Sequence, residues 1–114
     1  MLLPGGEDPD CRRCMPWKEI EEGKFNDPRN LIKSLIALRK AHPALRSTEI
    51  NFCKSAESRL VILERSDKEK GERLRCYFNF TGKGCTVKEE GKVLFAHKYK
   101  DFSLQSGGLL LFDL

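Results

Sequence analysis

The chain has 114 residues, 39% of them hydrophobic and 33% charged, with a net charge of +4, the composition of one globular domain with a modest core rather than of a disordered tail. No apolar run approaches the roughly 20 residues a bilayer-spanning helix needs, so a membrane partner is excluded. The positive excess is spread evenly, nine basic against seven acidic groups in residues 1–46 and twelve against ten in the rest, which leaves no basic stripe for nucleic acid.

Residues 1–26 hold Pro4, Pro9, Pro16, Gly5, Gly6, Gly23 and the single tryptophan, Trp17, without helical or alternating apolar period; they read as a long irregular loop. Asp27-Pro28 supplies a helix start, with aspartate as N-cap and proline at the first helical position. Leu31, Ile32, Leu35, Ile36 and Leu38 repeat at helical spacing, and the spacing predicts a helix over about 28–41. His42-Pro43 ends it, because the residue before proline is pushed out of the helical region.

From Thr48 the period changes to strands, expected at 48–53, 58–65, 72–80, 85–89, 92–97, 100–104 and 108–113 and separated by turn signals at Lys70-Gly71, Thr81–Gly84, Glu90-Gly91 and Ser106–Gly108. Seven strands without intervening helices require antiparallel pairing, and two stacked sheets are the simplest way to bury both faces. Leu74, Cys76, Phe78 and Phe80 form one inward row, faced by Val61, Leu63, Val87, Phe95, Phe102, Leu109 and Leu111.

Little in these residues carries chemistry. Cysteines 11, 14, 53, 76 and 85 are odd in number and fit reduced thiols in a cytoplasmic setting, while Met1–Pro4 is too short for a signal peptide. Cys11-Arg12-Arg13-Cys14 has the spacing of a redox pair or half a zinc site but lacks a second pair, so no metal and no cofactor is expected. Asn79-Phe80-Thr81 matches a glycosylation sequon without other sign of secretion. Glu7, Asp8 and Asp10 lie on one segment with no second element to fix their separation, unlike the opposed carboxyl groups that glycoside cleavage requires.

Gly5-Gly6-Glu7-Asp8-Pro9-Asp10-Cys11-Arg12, followed by a helix running into Arg39-Lys40-Ala41-His42-Pro43-Ala44-Leu45-Arg46, resembles the last barrel loop and final barrel helix of the alpha-amylase family of glycoside hydrolases. Within the family the likeness is to the neopullulanase, cyclomaltodextrinase and maltogenic amylase branch, whose loop reads Gly-Gly-x-Asp-Pro-x-Cys-Arg. It covers residues 5–46 by motif and the remainder only by strand pattern; Cys14 departs from the family's usual proline, and Leu2-Leu3-Pro4 from its usual upstream link.

The resemblance implies a remnant of a (β/α)8 barrel in residues 1–46 and an antiparallel Greek-key β-sandwich, the amylase C-terminal domain, in 47–114. It further implies a parent glycosidase acting on α-glucans or cyclodextrins, with the catalytic carboxylates upstream, no catalytic residue here and no activity for this chain alone. Asp8 and Arg12 take the positions that hold sugar hydroxyls in the intact enzyme, and Trp17 that of a loop anchor. The expected partners are the enzyme's own catalytic barrel, α-glucan through the parent enzyme, and further copies through an exposed helix face. The alternative is a free-standing carbohydrate-binding sandwich, with Tyr77 and Tyr99 as sugar platforms.

Overall fold

A computed structural model describes residues 7, 12–88 and 90–114. The chain divides into two compact units, residues 1–38 and 39–114. In the first, the expected loop contains a short helix, α1, over Trp17–Glu21. It is followed by α2 over Asn26–Ala41, which starts two residues earlier than expected. Neither helix buries a residue: Leu31, Leu35 and Leu38 are half-buried, while Ile32 and Ile36 are exposed. As the His42-Pro43 step dictates, α2 ends with His42 extended at φ −109° and ψ 108°, and a 3-10 turn follows over Pro43–Leu45.

The second unit is mainly β. Its six antiparallel strands are β1 (Ile50–Cys53), β2 (Leu60–Asp67), β3 (Glu72–Asn79), β4 (Cys85–Thr86), β5 (Lys92–Lys100) and β6 (Ser103–Asp113). The sheet order is β1-β2-β3-β6-β4, with β5 also on β6, and the sheet curls into a half-barrel of the sandwich type. The β2–β3 reversal forms where Lys70-Gly71 predicts it. There the Asp67 carboxylate accepts from the backbone N–H groups of Glu69 and Lys70, both at 3.0 Å, and Gly71 takes φ +67°.

Two expectations are corrected. Seven strands become six, because Ser106–Gly108 is not a reversal: β6 runs through it. A Cβ on Gly108 would lie 2.6 Å from Leu104 Cδ1 and 2.7 Å from the Gln105 carbonyl oxygen, so this glycine permits close approach rather than a turn. The reversal falls instead at Asp101-Phe102, with φ of 49° and 59° and Lys100 paired with Ser103. Phe102 is therefore an exposed hairpin-tip residue, not a core one.

The second correction is that buried residues lie on both faces of the sheet, not on one inward row. Tyr77, Val87, Leu104, Leu110 and Phe112 form the buried cluster, with Leu60, Ile62, Val93 and Tyr99 packed against it; Tyr77 and Phe112 meet edge to face at 5.8 Å. Register places Leu74, Cys76 and Phe78 on the opposite face. Of that expected inward row, Leu74 and Cys76 are buried, Phe78 is half-buried and Phe80 is 60% exposed.

Candidate functional site

Asp8, with Asp10 and Cys11, lies outside the described residues. Arg12, Glu7 and Cys14 are exposed, and Trp17 stands 66% exposed at the start of α1. Among the described residues no group of three His, Cys, Asp or Glu could hold a metal ion. Burial pushes the Cys76 thiol up to about 11, leaving it protonated and a packing group at neutral pH. Asn79 of the sequon is fully buried: its amide donates to the carbonyls of Lys83 (2.8 Å) and Leu104 (2.6 Å), and its oxygen accepts from Thr81. This asparagine closes a turn and is shielded from modification in the folded state.

The tyrosines are not platforms either. Tyr77 is 6% exposed within the core, and the Tyr99 hydroxyl donates to the Val87 carbonyl at 3.0 Å. With Tyr77 buried and Tyr99 half-buried, neither ring is the exposed platform that a free-standing sugar module would use. An open groove of about 390 Å³ lies beside Tyr77, with Leu60, Ile62 and Val87 on its wall. Its rim acids are paired, Glu57 with Lys83 at 3.2 Å and Glu90 with Arg75, so neither stands as a free general acid or base.

What the second unit does present is an apolar sheet face. Direct cross-strand partners share a face, and two rows can be read from the register. Phe52 pairs with Leu63, Leu63 with Cys76, Cys76 with Leu111, and Leu111 with Phe95. Beside it, Val61 pairs with Phe78, Phe78 with Leu109, and Leu109 with His97. Leu63, Val61, Phe78, Leu109 and Phe95 are only half-buried, and Phe52 is 73% exposed. A sheet with one polar face would alternate apolar and charged residues; this one carries apolar rows on both.

One end of this face is covered by the 3-10 turn, and a polar clamp holds it there. Glu72, at the start of β3, accepts from the Ala44 backbone N–H at 2.7 Å through one oxygen and meets His42 Nδ1 at 2.6 Å through the other. Ala44 is fully buried beneath it. Arg65 donates to the Ser47 carbonyl, and Arg39 to that of Leu45 at 2.8 Å.

On the core face, Glu64 accepts from Arg75 and, at 3.4 Å, from Arg73. The Arg75 hydrogen bond holds the Glu64 carboxyl below its ordinary 4.5 against the opposing effect of burial. A carboxylate depressed on folding contributes stability above its unfolded value and loses it as pH falls through the folded one. Urea titrations at neutral pH and below pH 4.5 should show Glu64→Gln less stable than the parent at neutral pH, with the gap closing in acid. A gap that persists in acid would assign the loss to packing instead.

No family model matches the chain. Curated proteins do match. A cyclomaltodextrinase of Bacillus sp is 31% identical over 86 residues, covering 65% of this chain and 15% of that protein. A cyclomaltodextrinase of Geobacillus thermopakistaniensis (strain MAS1) is 42% identical over 50 residues, covering 44% and 8%. A maltogenic alpha-amylase of Bacillus acidopullulyticus is 32% identical over 71 residues, covering 60% and 12%. These relatives are alpha-amylase-family glycosidases, and the chain is a relative of that family's neopullulanase branch. It spans 15% or less of the length of each of these relatives.

Proposed function

We propose that these residues are the non-catalytic C-terminal part of an alpha-amylase-family glycosidase acting on α-glucans or cyclodextrins, and that the β unit stabilises the catalytic barrel of the intact enzyme. The observation that carries the reading is the second apolar face: Phe52, Val61, Leu63, Phe78, Phe95 and Leu109 line up by register and remain partly open to solvent. A contiguous face of this kind is what an interface offers, and a catalytic barrel in the same polypeptide, as the relatives' greater length would allow, is the partner that suits it. The exposed Ile32 and Ile36 of α2 suit the same role, or association between copies where the barrel is missing. Asp8 and Arg12 would contact sugar only in the intact cleft, where a carboxylate and a five-donor guanidinium can hold vicinal hydroxyls.

Phe52→Ser tests this reading in two settings. In the 114-residue chain a 73% exposed side chain contributes little, so stability should change by about 0.5 kcal/mol or less. In the full-length glycosidase the same change should cost about 2–3 kcal/mol, because the ring is then buried, and scanning calorimetry would show a lowered Tm with unaltered KM for maltodextrin. An equal effect in both settings would sink the proposal.

A further inference from the structure

Both tyrosines of the β unit belong to its core assembly, and only one of them has spent its hydroxyl. Tyr99 donates to the Val87 carbonyl at 3.0 Å. Tyr77, 6% exposed, makes no hydrogen bond through its hydroxyl among the described residues. A buried tyrosine hydroxyl ordinarily finds a partner, because an unmet one has given up its bonds to water. Among the described residues Arg65 Nε is the one fully enclosed side-chain nitrogen or oxygen without a partner, so the Tyr77 hydroxyl is reached from solvent. The opening that Tyr77 lines is the groove of about 390 Å³, a volume within the roughly 300–1,000 Å³ of small-molecule sites.

The groove is built from both sides. Its apolar lining of Leu60, Ile62, Tyr77 and Val87 is continuous with the core. One bank is the loop between β1 and β2, where the Ser55 hydroxyl accepts from the Glu57 N–H at 3.2 Å and donates to the Glu57 carbonyl at 3.1 Å. The other is the segment leaving β4, where the Val87 N–H donates to the Phe102 carbonyl at 2.9 Å and the Val87 carbonyl accepts from Tyr99.

The rim carries an excess of positive charge. Glu57 and Glu90 are neutralised by Lys83 and Arg75, which lie outside the lining. Lys54 and Lys88 line the groove without a carboxylate partner among the described residues. Burial pushes the Tyr77 phenol above its ordinary 10 against the opposing Arg75 charge, so at neutral pH it has a proton to donate. An apolar lining, one unspent hydroxyl donor and two ammonium groups complement an anion with an apolar body.

We propose that this groove binds a small organic anion, an aryl or alkyl carboxylate whose apolar part lies on Leu60, Ile62 and Val87 and whose carboxylate accepts from the Tyr77 hydroxyl, with Lys54 and Lys88 supplying the neutralising charge. The site lies wholly within the β unit and does not depend on a catalytic barrel.

Phenylacetate serves as the probe, titrated into the full chain with backbone amide shifts as the readout. It should saturate with a Kd of about 1 mM or below and move Ile62, Tyr77 and Val87. Phenylacetamide, which keeps the shape without the charge, and acetate, which keeps the charge without the apolar body, should each bind about tenfold more weakly or worse. Tyr77→Phe removes the hydroxyl alone and should weaken phenylacetate binding about tenfold, with Tm unchanged because that hydroxyl holds nothing in the fold. The Lys54→Met/Lys88→Met pair should weaken it by a similar factor and abolish most of its salt dependence. No saturable binding, equal affinity for the amide, or undiminished binding by Tyr77→Phe would each overturn the proposal. A Tm lowered by Tyr77→Phe would do so too, since the hydroxyl would then be spent within the fold. None of these results bears on Phe52 and the surface proposed to face a barrel, whose test is made in a full-length enzyme.

Discussion

Gly91→Ala should destabilise the β unit by about 3 kcal/mol, among the largest single-site losses in the chain. Gly91 immediately precedes β5, where Lys92 pairs with Asp113 at the end of β6. A Cβ built on it would lie 2.1 Å from the Asp113 carbonyl oxygen, 3.1 Å from the carbonyl carbon and 3.5 Å from Leu114 Cα. All three are backbone atoms and cannot swing aside as a flexible side chain would, so the β5–β6 pairing itself must shift. That pairing borders Val93 and Phe112, both part of the core assembly. The comparison is Gly71→Ala. Gly71 has φ +67° but nothing within 4 Å of its Cβ position, so only the backbone preference is lost, about 1 kcal/mol. Urea midpoints of the two variants should rank accordingly, and near-equal losses would refute the close-approach account.

The elements that sequence made legible are those governed by local rules. Leu31, Leu35 and Leu38 announce α2, His42-Pro43 stops it, and Lys70-Gly71 marks a true reversal. What it could not show are features decided by distant contacts. Glycine at 107 and 108 is equally consistent with a turn or with a strand passing close under another, and only the packing of Leu104 and Gln105 against Gly108 selects the second. Phe102 carries no turn signal at all, yet it sits at positive φ in the reversal. The Glu72 clamp joins residues 28 and 30 positions apart, beyond the reach of any periodicity. The candidate site divides in the same way. Asp8 and Arg12 are nameable only through a family resemblance, and Arg12 stands exposed. The apolar face is legible as residues, and its Leu74, Cys76 and Leu111 are buried as the alternation predicts, while Phe78 and Phe80 are not.

Burial on both faces of the sheet has a physical cause, and one pair of substitutions exposes it. In Leu74-Arg75-Cys76-Tyr77-Phe78-Asn79, alternation favours Leu74, Cys76 and Phe78 as the inward set, because the intervening positions hold arginine, tyrosine and asparagine. The fold buries the other parity as well: Tyr77 packs on Phe112, Asn79 has its amide satisfied by the Lys83 and Leu104 carbonyls, and Arg75 is paired with Glu64 and Glu90 at the core's margin. Polar groups so partnered lose most of their cost of burial, so polarity alone does not say which face is inside. Phe112 is fully buried, and Phe112→Ala should therefore cost about 3–5 kcal/mol, most of the stability of a domain this small. Phe78→Ala, on the half-buried face, should cost roughly half as much in the isolated chain, since part of its ring is already in water. If the proposed function holds, the two losses should converge in a full-length enzyme, because a face that a catalytic barrel covered would become a core in its own right. Chemical denaturation of both variants in both settings measures this. If Phe78→Ala proved as costly as Phe112→Ala in the isolated chain, the face would already be complete, with no vacancy for a barrel to fill.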